Sequence, residues 1–212
     1  MGRFRACGRH AMQRRAGHHP ANRFMVMIMV RGERGRLLSR SIPLEIFPDR
    51  AERRPPHVTL YGPFTLSRGH TPQDIMNCIA HFCRDKNPLG YGVSGLTGLQ
   101  GRKGEALALE ISPDHEMKEF YDLLSNRLRT MAKRSTWIDR HPELRRLHIT
   151  LLFNMRAGEA ARIREQIMEP LTDAGIHTAT RIAVVRNGAL WYEYNLIGHQ
   201  WLNRAASFAM KE

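Results

Sequence analysis

The sequence predicts an α+β protein built as a duplicated β-α-β-α-β unit, and three observations carry that expectation. Strand-like and helix-like periodicities alternate in the same order twice along the chain. One tetrapeptide recurs, as His57-Val58-Thr59-Leu60 and again as His148-Ile149-Thr150-Leu151. Both copies fall in β-rich runs at matching places in the repeat.

The elements follow in order. Phe24 to Val30 is apolar throughout and rich in Val, Ile and Met, which predicts a buried strand. The stretch 31–56 holds Pro43, Pro48, Pro55 and Pro56 and supports at most one short helix, around Arg36 to Arg40. His57 to Phe64 reads as a strand closed by Gly62-Pro63. Thr71-Pro72-Gln73-Asp74 is a helix start, with Thr as cap, Pro in the first turn and an acid beside the helix N-terminus; Ile75, Ile79 and Phe82 then share one face to about Cys83. A glycine-spaced strand runs from Tyr91 to Leu99.

In the second half Glu105 to Ser112 alternates as a strand does, and Ser112-Pro113 should cap the next helix. Met117, Phe120, Tyr121, Leu124, Leu128 and Met131 form its apolar stripe. Leu147 to Phe153 is the next strand, and Ala160 to Leu171 a helix closed near Gly175. Arg181 to Val185 and Leu190 to Leu196 flank Asn187-Gly188, a strong hairpin signal because both turn residues tolerate positive φ.

Composition bounds the rest. The 212 residues are 42% hydrophobic and 25% charged, which excludes a wholly disordered or fibrous chain. The longest apolar run, Phe24 to Val30, is far short of the roughly 20 residues a membrane helix needs, so no membrane association is expected. Three cysteines (Cys7, Cys78, Cys83) make no disulfide scaffold and fit a reducing, cytoplasmic setting. The net charge of +13 points to an anionic partner. Residues 1–23 carry six arginines and no acid, with neither the apolar core of a secretory signal nor a myristoylation motif. They read as a basic, disordered arm, the alternatives being an organellar transit peptide or translation from Met25 or Met27. Residues 24–212 read as a single folded domain.

The repeated tetrapeptide carries the chemistry. On a strand, residues two apart face the same way, so each copy presents an imidazole and a hydroxyl together, with the β-branched residue and Leu turned into a core. Brought together by pseudo-twofold symmetry, His57, Thr59, His148 and Thr150 would line one cleft. Such a set suits phosphodiester hydrolysis without a metal. A neutral His takes a proton from the attacking water and a protonated His supplies the leaving oxygen, while the hydroxyls bond the non-bridging oxygens as charge builds. Imidazole fits because its ordinary pKa of about 6.5 leaves both protonation states available near neutrality. With 11 histidines, chance alone supplies about one H-x-[ST] match. The shared second and fourth residues and the shared strand context are what raise the pair above chance.

At this point the sequence resembles the two-histidine (2H) phosphoesterases, most closely the RNA 2′,3′-cyclic phosphodiesterases, historically called 2′-5′ RNA ligases. HVTL and HITL match that family's paired H-x-[ST]-x motifs, and PPHVTLYGPF and NGALWYEYNL extend the likeness over about residues 24–202. The resemblance implies a bilobal fold of antiparallel sheets around a central cleft, with lobes near 24–103 and 104–212 that could intertwine. It implies His57 and His148 as catalytic residues and Thr59 and Thr150 as phosphate-binding hydroxyls. It further implies His57 as general acid, His148 as base, a 2′-phosphate product, and weak reverse ligation of 2′-5′ linkages. No cofactor or metal is expected, the partner is RNA or a nucleotide with a cyclic phosphate, and the chain is expected to be a monomer with no obligate protein partner. The proline-rich stretch before His57 departs from the family, which usually has a clear helix there. A different class of reading stays open: a module that grips RNA or a nucleotide without turnover.

Three residues are candidates for a substrate rim. Arg146 precedes His148 at the end of a run holding seven basic residues between Arg127 and His148, either a phosphate-steering rim or a solvated loop. Tyr61 should share the face of His57 and Thr59, either stacking on a base or packing beneath the cleft. Trp137 is either a base-stacking lid or a local anchor. Gly90-Tyr91-Gly92-Val93-Ser94-Gly95 fits G-x-G-x-x-G but opens no helix after a strand, so it is not read as a nucleotide loop. Cys78 and Cys83 read as core, and His18, His19 and His141 have no partners at metal-site spacing.

Overall fold

The apolar run that follows the arginine-rich segment forms strand β1 (Phe24–Met29) in the computed structural model of the chain, which describes residues 22–40, 42, 52–53, 55–101, 104–167 and 175–209. The expected arm, up to residue 21, and the end of the helix expected to reach Leu171 lie outside the described residues. After β1 come α1 (Gly32–Arg40), β2 (Glu52–Arg53), β3 (His57–Leu66), α2 (Pro72–Cys83) and β4 (Leu89–Gly101). The second series is β5 (Gly104–Pro113), α3 (His115–Met131), β6 (Ala132–Arg134), α4 (Trp137–Arg140), β7 (His148–Met155) and α5 (Glu159–Gln166). β8 (Ile176–Ala179), β9 (Arg181–Arg186), β10 (Ala189–Asn195), β11 (Gln200–Asn203) and α6 (Arg204–Ala209) complete the described chain.

The fold is the expected α+β arrangement with antiparallel pairing, in the order β11-β10-β9-β1-β3-β7-β5-β4-β8, with β2 beside β7 and β6 beside β3. The two motif strands, β3 and β7, sit at its centre and meet through one residue pair, Val58 opposite Ile149. The sheet therefore parts into two halves there. One half is β3 with β1, β9, β10 and β11, and the other is β7 with β5, β4 and β8. A division at 103/104 would instead cut the β4–β5 hairpin, which is paired from Tyr91–Pro113 to Gly101–Gly104. The halves are intertwined, because β4 pairs forward with β5 and the C-terminal strands return to β1.

Helices α2 and α3 cover one face. The stripe Met117, Phe120, Leu124 and Leu128 on α3 is wholly buried with Ile75 and Ile79 of α2 against Val58, Leu60 and Ile149. At roughly 25 cal/mol per Å² of apolar surface removed from water, this stripe is the main term holding α3 to the sheet. α3 is capped by Asp114, whose carboxylate accepts the Met117 N–H at 2.7 Å, and not by the expected Ser112, which stays in β5. The other Asp114 oxygen accepts the Gly90 N–H at 2.9 Å, and a Cβ on Gly90 would overlap it. The glycine-rich run Gly90–Gly95 thus belongs to strand β4, with Gly90 admitting a helix cap rather than a phosphate. At α2, the Thr71 N–H and hydroxyl both donate to Asp74, at 2.6 and 3.0 Å. Asn187 and Gly188 take φ of 52° and 83° in the β9–β10 turn, as the hairpin signal requires. Cys78 and Cys83 are buried in the core, and burial pushes both thiols up to about 12.

Candidate active site

Because Val58 and Ile149 are fully buried, the alternation of each strand turns its neighbours to the opposite face. With these two residues paired antiparallel, His57 lies across from Thr150 and Thr59 across from His148, all four half-buried on the open face of the sheet. In a regular ladder the diagonal that relates the two histidines spans about 7–8 Å between strands. Beyond Val58–Ile149 the two strands share no further pair among the described residues.

Each imidazole is held by the same local device. The His57 Nδ1–H donates to the Pro55 carbonyl at 2.8 Å, and the His148 Nδ1–H donates to the Arg146 carbonyl at 2.9 Å. A carbonyl only accepts, so in each imidazole the bonded Nδ1 carries a proton. Pro55 has no N–H and a fixed φ, which suits a residue whose work is to present its carbonyl.

The surroundings of the two histidines differ. On β1, Met29 is opposite His57 and Met27 opposite Thr59, while Met25 Sδ lies 3.9 Å from the Thr59 hydroxyl. Together with Val185 and Leu190 these methionines wall a hollow of about 430 Å³ that opens at His57. On β5, by contrast, Glu110 is opposite His148 and Ala108 opposite Thr150. Burial holds His148 below the usual imidazole value; the bond to Arg146 and the Glu110 charge act against it, and the Arg145 charge acts with it. A site results in which His148 favours its neutral form, beside two hydroxyls and a second imidazole.

The rim candidates fare unequally. Arg146 is 80% exposed in the loop before β7, 3.9 Å from Glu110, so it stands as a solvated cation at the edge. Trp137 is 59% exposed and packs on His141 at 5.5 Å, on neither motif imidazole. Tyr61 is fully buried, edge-on to Phe64 at 5.1 Å, and cannot reach a substrate. The reason is a β-bulge: Met27 pairs with Thr59 but Val26 pairs with Tyr61, so Leu60 is an extra residue and the alternation reverses beyond it.

Two features escaped the sequence reading. Met25, Met27 and Met29 alternate with Phe24, Val26 and Ile28, a period of two hidden because both faces of β1 are apolar. The other is Arg145, which looked like one more surface cation. Its side chain is only 8% exposed, donates to the Thr59 carbonyl at 3.0 Å and pairs at 2.6 Å with buried Asp139. Asp139 also accepts the Gly62 N–H at 3.1 Å, so the pair fastens the 136–145 loop to the backbone of β3 at Thr59 and Gly62. Nothing in the sequence distinguishes Arg145 from Arg146, because only the packed loop decides which is enclosed.

A family model described as the 2′-5′ RNA ligase superfamily matches residues 34–189. No curated protein sequence matches the chain. Among solved structures, E. coli LigT complexed with 3′-AMP is similar at 12% identity and a TM-score of 0.51, covering 83% of this chain and 98% of that one. Kluyveromyces marxianus Usb1 is similar at 8% identity and a TM-score of 0.50, covering 80% and 96%. A structure described only as a phosphoesterase gives 14% identity, a TM-score of 0.50, and 83% and 98% coverage. Identities this low speak to the fold.

Proposed function

This chain belongs to the 2′-5′ RNA ligase superfamily, and from that premise we propose that it is a phosphodiesterase opening 2′,3′-cyclic phosphates on RNA ends or nucleotides to 2′-phosphates. The observation that carries this reading is the matched pair of imidazoles, each tied through Nδ1 to the carbonyl two residues upstream, sharing one face with two threonine hydroxyls. Neutral His148 takes a proton from water as the water oxygen bonds to phosphorus. The P–O3′ bond breaks, and His57, protonated on Nε2, gives its proton to the departing O3′. Thr59 and Thr150 donate to the non-bridging oxygens, whose charge grows in the transition state. No step calls for a metal ion, because both proton transfers and the charge stabilisation are assigned to side chains.

LigT in complex with 3′-AMP is a nucleotide-bound relative in fold, which is consistent with a nucleotide ligand here. Purified protein incubated in excess EDTA with an oligonucleotide ending in a 2′,3′-cyclic phosphate should yield a 2′-phosphate, identified by phosphorus NMR. Activity abolished by EDTA would overturn the metal-independent mechanism. Binding without any turnover would transfer the site to the alternative class, a non-catalytic RNA- or nucleotide-binding module.

A further inference from the structure

We infer that the substrate is a polynucleotide end rather than a mononucleotide, and that its strand leaves the active site along α1, with backbone phosphates on Arg36 and Arg40. This deepens the proposed function and rests on it for the position of the terminal phosphate.

The hollow that opens at His57 does not end there. It shares Val30, Arg31 and Pro55 with a second hollow of about 440 Å³, which Arg36 and Arg40 also line. Those two arginines also line a third hollow, of about 620 Å³, on the outer side of α1. A continuous depression therefore runs from the catalytic imidazole past Pro55 and over α1. Arg36 and Arg40 are four residues apart, hence on one face, and about 6 Å apart along the helix axis. That separation lets each guanidinium meet a different phosphate of an extended strand.

The charge in the depression is available. Arg31 is engaged by buried Glu193 at 2.5 Å and by Ser207 at 2.9 Å, so it forms a fixed wall. Arg36 and Arg40 are exposed and neither makes an ion pair among the described residues. Glu33 is the acid among the residues lining the outer hollow.

The direction follows from the chemistry. The departing O3′ remains on the ribose, so the nucleoside and everything 5′ of it lie on the side of the general acid, His57. Water approaches from the side of His148. The depression opens from His57, where an apolar methionine wall can take the terminal base before the basic stretch begins.

The test compares the intact protein with the double variant R36Q/R40Q, whose changes are both at exposed positions. Binding of a fluorescent hexanucleotide ending in a 2′,3′-cyclic phosphate is followed by anisotropy at several salt concentrations, and turnover of 2′,3′-cyclic AMP is measured alongside. The intact protein should bind the hexanucleotide more tightly than the cyclic mononucleotide. In the variant the slope of log K against log salt should become shallower by about 1.4, two contacts at about 0.7 each, with binding about tenfold weaker at 0.1 M salt. Turnover of cyclic AMP should stay within twofold. Equal binding of the hexanucleotide by both proteins, or no preference for it over the mononucleotide, would overturn the inference. Absence of cyclic AMP turnover in the intact protein would instead strike the catalytic reading, leaving the anisotropy result to decide the track.

Discussion

At His148, burial and chemistry point the same way. Enclosure disfavours the imidazolium, so the group gives up its proton below the ordinary value of 6.5, as the proposed role of general base requires. The acidic limb of kcat/KM against pH is therefore expected below 6.5. An acidic limb at or above 6.5 would contradict this assignment. The shift carries a linked effect on folding. The unfolded chain binds this proton more readily than the folded one, so stability present above pH 6.5 declines as pH falls below it. His57→Ala and His148→Ala should each lower kcat about 10²-fold or more, as expected for removal of a general acid or base. Thr59→Val should cost less, since the Thr150 hydroxyl and both imidazoles remain. Near-normal turnover by either histidine variant would remove the acid/base pair from the mechanism.

Among the elements, the 136–145 loop is the one whose packing the site depends on. Asp139 and Arg145 are both enclosed, and the pair supports the Thr59 carbonyl and the Gly62 N–H. Asp139→Ala would leave a buried guanidinium uncompensated and should cost about 3–5 kcal/mol in chemical denaturation. A loss below about 1 kcal/mol would mean that water reaches the pair. Helix α1 offers a second case. Gly35 is buried at its centre, where alanine would raise intrinsic helix propensity by about 1 kcal/mol. A Cβ there would overlap the Val30 carbonyl, so Gly35→Ala should nonetheless lower the melting temperature, through the close approach of α1 to the end of β1. The two helices of the main layer, α2 and α3, were legible because their apolar residues recur at helical spacing. β2, β6, β8, β11, α4 and α6 were not, since segments of two to six residues have too little periodicity and are held by partners remote in sequence.

On the scale of the molecule, the chain closes on itself. β9 pairs with β1 from Phe24–Arg186 to Met27–Ala183, and buried Glu193 joins Arg31 to Ser207 and Arg181. Neither half of the sheet comes from one half of the sequence. Residues 24–103 expressed alone would carry β4 without β5 and β1 without β9, and residues 104–212 would carry the complementary orphans. Each fragment is expected to lack cooperative thermal unfolding by circular dichroism, with recovery on mixing. A cooperative transition in either fragment alone would contradict the intertwined arrangement. Among the described residues no helix is long and apolar enough to cross a membrane.

The sequence by itself determined the repeated His-x-Thr pairs, the strands that bear them, and the apolar stripe of α3, because these depend on periods of two and 3.6 and on residues adjacent in the chain. Tertiary structure alone decided that the motifs meet at Val58–Ile149, that Tyr61 turns inward past a bulge, and that Arg145 rather than Arg146 is enclosed. It also decided that the C-terminal hairpin completes the N-terminal half of the sheet. Each of these is a pairing between distant segments or a choice of which side chain loses its water. Such outcomes follow from which surfaces pack together, and local periodicity carries no record of them.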